Sequence, residues 1–135
     1  MQRSPLAPAS FPSLPEIAGV TCRVARAQYK EWDRCDLTFI TLSAGTTLAG
    51  VTTRSACCST EVEMCREGIA RGTARALVVN AGNSNAFTGY RGREAVELIT
   101  RQVAAHLSCD TADVLVSSTG VIGVPLPQDK AQQGL

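Results

Sequence analysis

A chain of 135 residues is one domain's worth at most and can bury only a modest core. With 44% hydrophobic and 19% charged residues it is not a disordered chain, and aromatics at 4% leave the core to Val, Leu, Ile and Ala. A net charge of +1 provides no basic field for nucleic acid or an acidic membrane surface, and no apolar run reaches the length of a membrane span.

Four of the six prolines, Pro5, Pro8, Pro12 and Pro15, fall in the first fifteen residues. Residues 1–20 therefore read as a Pro-rich, polyproline-like arm lying on the body or on a partner, with the folded domain over 21–135. Asp36 to Leu42 (DLTFITL) has the β-branched and aromatic content of a strand. After the Ser43-Ala44-Gly45 turn signal, Thr47 to Thr53 (TLAGVTT) reads as a second strand, making the pair a hairpin. Thr60 and Glu63 match a capping box, Val62, Cys65 and Ile69 follow at helical spacing, and Gly72 is a natural stop. Ala74 to Asn80 (ARALVVN) is a buried strand. The spacing of Val96, Ile99, Val103 and Leu107 predicts a second helix over 93–107. A turn at Asp110 to Asp113 leads into Val114 to Ser118 (VLVSS), another buried strand. Helices packed on a sheet, the α+β class, are the expected architecture.

The cysteines, Cys22, Cys35, Cys57, Cys58, Cys65 and Cys109, are even in number. A disulfide framework needs a secretory context, and residues 1–10 hold one Arg and no apolar stretch of the signal-peptide kind. Metal binding needs convergent ligands, but no CxxC pair occurs and the single histidine, His106, falls inside the second helix. The expectation is six reduced thiols serving as small hydrophobes in a cytoplasmic protein, with no metal.

Two segments stand out, each directly after a buried strand. Asn80-Ala81-Gly82-Asn83-Ser84-Asn85-Ala86-Phe87-Thr88-Gly89 is either a turn bonded by its own amides or a ligand site; composition favours the turn. Ser117-Ser118-Thr119-Gly120-Val121-Ile122-Gly123 is either a plain glycine turn or an oxyanion hole. A Thr-Gly step at a strand end aims a hydroxyl and a backbone N–H at one point. Neither GxGxxG nor GxxxxGK[ST] is present, which disfavours a phosphate cradle.

Taken together, SPLAPASFPSLPEIAGV (4–20), AGVTTRSACCSTEVEMCRE (49–67), ARALVVNAGNSNAFTG (74–89), GREAVELI (92–99) and VLVSSTGVIGVPLP (114–127) resemble the N-terminal part of ornithine acetyltransferase. That family is the bifunctional glutamate N-acetyltransferase of arginine biosynthesis. The resemblance implies an incomplete version of a self-cleaving, N-terminal-nucleophile-like (DmpA-like) fold. It implies a precursor cut into α and β chains, assembled as two of each, with the β chain's first Thr as nucleophile. That Thr takes acetyl from N-acetylornithine and passes it to glutamate, with its own α-amine as base and no cofactor. By motif, Thr119 and Gly120 would be the oxyanion donors, through a hydroxyl and a backbone N–H respectively. The family's α chain is expected to continue past position 135 with a substrate-contacting Thr and a Lys, so residues 1–135 would carry half of an active site. Region 25–36 (ARAQYKEWDRCD) departs from the family pattern. Acetyl-CoA as a further donor stays open. A related self-cleaving aminopeptidase and a catalytically inactive remnant or interaction protein are the alternatives.

Overall fold

A computed structural model describes residues 4–134. Residues 1–3 of the arm and Leu135 lie outside the described residues. From Ser4 the arm runs without regular structure and leaves Leu6, Phe11, Leu14 and Ile17 exposed, so these do not pack on the body.

Four strands form one sheet in the order β1 (Val20–Ala25), β2 (Leu37–Leu42), β3 (Ala76–Asn83), β4 (Val114–Val121). The pairs β1–β2 and β2–β3 are antiparallel, and β3–β4 is parallel. The helices are α1 (Thr60–Arg71), α2 (Gly89–Leu107) and α3 (Gln128–Gly134). Because β3 and β4 are parallel, α2 is the crossover that returns the chain to the same end of the sheet.

Alternation divides the sheet into two faces. Leu37, Ala76, Val78, Val114 and Val116 are buried on one face with Ala95, Val96, Ile99 and Val103 of α2. Opposite them, the register aligns Cys22, Ile40, Leu77 and Leu115 in a row, and Val24, Thr38, Val79 and Ser117 in the next. None of these eight side chains is fully buried, and among the described residues no helix covers the β1 end on this face, where Val24 is 62% exposed.

Helix α1 lies along the outer edge of β4. Its Cys65 thiol donates to the Val116 carbonyl at 3.4 Å, and a Cβ at Gly68 would stand 2.9 Å from Leu115. Seven residues of helix cover about 10 Å and three of strand a similar span, so Glu61 stands level with Ser118. Gly72, at φ 76, ends α1 in the left-handed conformation expected of a helix stop.

The expected hairpin does not form. Both edges of β2 are already taken, by β1 and β3, so residues 47–53 cannot pair with it. They make instead the single bridge Thr47–Thr73 and a bond from the Leu48 amide to the Gly72 carbonyl. The capping box is also displaced. Ser59 is the N-cap, its side chain makes no cap bond, and its carbonyl receives the Val62 and Glu63 amides. Strand β3 runs three residues beyond Asn80, β4 three beyond Ser118, and α2 starts at Gly89 rather than 93. Among the described residues the six cysteines are unbridged, and no helix is long and apolar enough to cross a membrane.

Candidate active site

Both sequence segments of interest lie where β3 and β4 run side by side. Thr119 pairs in register with Ala81 and Gly120 with Gly82, so the Thr-Gly step belongs to the strand and not to a turn after it. Both glycines have φ +131, a conformation that side chains rarely adopt. A Cβ on Gly120 would lie 2.5 Å from the Gly82 carbonyl carbon and 2.6 Å from its oxygen. The two backbones approach too closely for any side chain, and the strands turn their peptides here as a pair.

Thr119 follows the parity of Leu115 and Ser117, which places it on the face away from α2. It is exposed, and its hydroxyl bonds to none of the described residues. Its neighbours hold still. The Ser118 hydroxyl donates to Asn80 Oδ1 at 2.6 Å, locking the last inward side chain of β4 to β3.

The asparagines are the scaffold of this site. Asn80, Asn83 and Asn85 are all at most 2% exposed. Asn80 donates to the Asn83 carbonyl at 3.1 Å, and Asn83 to the Val124 carbonyl at 3.2 Å. Asn85 donates to the Gly92 carbonyl at 3.1 Å and accepts from the Thr88 hydroxyl at 2.9 Å. Gly92 must be glycine, since a Cβ there would stand 1.8 Å from the Thr88 hydroxyl. Further bonds tie the two segments together: the Ser84 amide to the Val121 carbonyl at 2.9 Å, and the Gly123 amide to the Ala86 carbonyl at 2.8 Å. The Asn-rich segment is thus the end of β3 and the turn after it, held partly by its own bonds and partly by bonds to Gly92 and residues 121–124, and together these fix Thr119-Gly120.

A third support was not foreseen from the sequence. The buried Asp36 carboxylate accepts from the amides of Ala27 at 2.7 Å, Tyr29 at 2.8 Å and Gln28 at 3.3 Å, fixing a tight turn in which Gln28 has φ 55. Asp36 also accepts the Ala81 amide through its own carbonyl. The turn sets Tyr29 against Gly82, where a Cβ would stand 3.1 Å away. Burial, and next the Asp36 charge, push the Tyr29 phenol far above its ordinary range. Region 25–36 therefore braces the glycine pair from behind. The clue was one acid, Asp36, directly before an apolar strand.

Among the described residues no cluster of His, Cys, Asp and Glu could hold a metal. What the geometry offers is a hydroxyl and, beside it, a Gly backbone in a conformation that suits glycine, on an open sheet face.

The family model for ArgJ matches residues 21–135. A protein of Zymomonas mobilis named arginine biosynthesis bifunctional protein ArgJ is 60% identical over 132 residues, covering 98% of this chain and 32% of the relative. The protein of the same name from Mesorhizobium japonicum is 47% identical, covering 94% and 31%. The chain thus spans about a third of the length of the curated relatives it matches. Two crystal structures share the fold. One is ArgJ of Bacillus halodurans, with TM-score 0.80, 30% identity and coverage of 86% of this chain and 61% of that one. The other is ornithine acetyltransferase of Mycobacterium tuberculosis in complex with ornithine, with TM-score 0.82, 32% identity and coverage of 87% and 64%. With the family match over most of its length and the same fold in both solved relatives, the chain belongs to the ArgJ family.

Proposed function

We propose that this chain is the oxyanion-stabilising portion of an enzyme that moves acetyl from N-acetylornithine to glutamate. The observation that carries the reading is the Gly82–Gly120 pair, which fixes Thr119 on the open face with its hydroxyl unengaged. The nucleophile is the N-terminal Thr of a β chain, which belongs to polypeptide outside these 135 residues, and the working assembly pairs two α with two β chains. Attack by that Thr hydroxyl on the acetyl carbonyl gives a tetrahedral intermediate, the nucleophile's proton passing to its own α-amine. The negative oxygen is met by the Thr119 hydroxyl and the Gly120 N–H. Collapse expels the ornithine amine, protonated as it leaves, and glutamate's amine then takes the acetyl group from the ester. Donors fixed in advance favour the charged intermediate over the neutral carbonyl, which is where rate is gained. This chemistry calls for no cofactor and no metal. Ornithine bound in the mycobacterial neighbour suits the same substrate pair.

The test is complementation in vitro. The chain is assayed alone, and again joined to the remaining two thirds of the Zymomonas mobilis relative. Ornithine release from N-acetylornithine is expected only from the joined protein, with acetyl-CoA tried as a separate donor. Turnover by the chain alone, or none by a joined protein that folds and cleaves, would contradict the reading.

A further inference from the structure

Beside β4, between the N-terminal half of α1 and residues 48–53, lies a groove of about 420 Å³. Its walls are largely apolar, with Leu48, Val62, Ile69, Leu77 and Leu115 among them, yet one lining residue is Glu61. Glu61 is 3% exposed, and neither carboxylate oxygen has a hydrogen-bond partner. The position is anomalous, because buried carboxylates are ordinarily paired or fully hydrogen-bonded. Arg66 donates to the Thr52 hydroxyl at 3.0 Å and to the Thr53 carbonyl, and Arg93 faces Glu97 at 3.1 Å and Glu63 at 4.0 Å, so neither of these cations pairs with Glu61. The hydroxyl of Ser118, another lining residue, is committed to Asn80.

The amide dipole of the first turn of α1 favours an anion at this position. Its charge is already felt by Cys65, whose thiol is raised first by burial and also by Glu61. A buried carboxylate with no hydrogen-bond partner, at the wall of an apolar groove, is matched by a donor that carries positive charge and an apolar stem.

We propose that Glu61 is the receptor of a binding site for an organic cation, an alkylammonium or guanidinium group whose methylene stem lies along the groove. Carboxylate and cation form a charge-assisted pair, stronger than a neutral hydrogen bond, and the stem covers Val62, Leu77 and Leu115. Residues 48–53 form one wall of the site and belong to no strand, so admitting a cation disrupts no sheet pairing. The site stands independently of the proposed acetyl transfer, since it rests on Glu61 and its surroundings. Two sources share the chemistry: a free basic amino acid, or a Lys or Arg side chain of the polypeptide that completes the fold.

The experiment is a thermal melt of the chain with millimolar n-butylammonium, ornithine or the blocked tripeptide acetyl-Ala-Arg-Ala-amide. Sodium chloride and glutamate serve as controls at equal ionic strength, and protection from limited proteolysis is read in the same series should the melt be broad. Binding to the folded state raises Tm by about 4–6 °C at a tenfold excess over Kd. Wild type is expected to be stabilised by the cations and not by the controls. Glu61→Gln is expected to start from a Tm at least as high, because it removes a buried carboxylate that has no partner, and to lose the response. Stabilisation by ornithine alone identifies a metabolite as the source, by the tripeptide alone a polypeptide side chain, and by butylammonium also the bare cation. No response in wild type, or an equal response in Glu61→Gln, overturns the proposal.

Discussion

Replacing Gly120 with alanine tests the glycine pair more sharply than any other single change. Two costs combine. At φ +131 an L side chain is strained, by about 1–3 kcal/mol. The new methyl would also stand 2.5 Å from the Gly82 carbonyl carbon, 2.6 Å from its oxygen and 2.9 Å from the Asn83 nitrogen. All three are backbone atoms of the neighbouring strand and cannot swing aside, so overpacking adds about 1–3 kcal/mol. The sum is roughly 2–6 kcal/mol, a large part of the stability of a domain this size. Gly45→Ala is the control: Gly45 has φ +83 but nothing within 4 Å of the added methyl, so only the conformational cost of about 1–2 kcal/mol remains. Urea unfolding followed by circular dichroism measures both, and hydrogen exchange at 80–83 shows whether the loss is local to the strand pair. If Gly120→Ala is no less stable than Gly45→Ala, the close approach of the strands is wrong, and with it the fixed placement of Thr119.

Other consequences concern the scaffold and the surface. Asn85→Ala removes the buried side-chain bonds to the Gly92 carbonyl and from the Thr88 hydroxyl, which keeps the Asn85 carbonyl, and is expected to cost about 1–3 kcal/mol by urea unfolding, whereas loss under a few tenths would deny the loop its bracing role. Thiol labelling at pH 8, mapped by mass spectrometry, should modify exposed Cys22, Cys35 and Cys57 first, and Cys65 late because burial raises its pKa and covers it. The Asp110 carboxyl is held below its ordinary value, first by the Ala112 amide and then by Arg71. Its folded pKa being depressed, it contributes stability above the unfolded value of about 3.9, and that contribution fades as pH falls through the folded pKa. Asp110→Asn should flatten this acid limb slightly, less so in high salt, and an unchanged limb would contradict the N-cap bond.

Much of the fold was legible because hydrophobic period and stop signals agree. Val96, Ile99 and Val103 share a helix face because they meet Val78 and Val116, and Gly72 ends α1 because only a left-handed residue fits there. What escaped was set by long-range pairing. VTCRVA has the alternation of a strand, but its short run does not say which edge it takes, and it fills the β2 edge that residues 47–53 were expected to fill. Asn80, Asn83 and Asn85 could be recognised as turn formers, but the buried bonds to Val124 and Gly92 depend on segments the local pattern does not reach. The Thr119-Gly120 step was visible as a motif, whereas its position inside β4 was not, since a glycine normally marks a strand's end and not a paired partner across the ladder.

The central claim is that Thr119 donates to the oxyanion. The direct test is Thr119→Ala in the chain joined to the rest of the Zymomonas mobilis relative, with self-cleavage checked by gel and steady-state kinetics on the processed enzyme. Thr119 is exposed at the strand surface, so folding and processing are expected to survive the change. The account predicts a loss in kcat of roughly ten- to a thousandfold, the range for one donor worth about 2–4 kcal/mol, with much less change in KM because the neutral carbonyl is only weakly held. Thr119→Ser, which keeps the hydroxyl, should retain much of the rate. Normal processing of Thr119→Ala together with wild-type kcat would contradict the account.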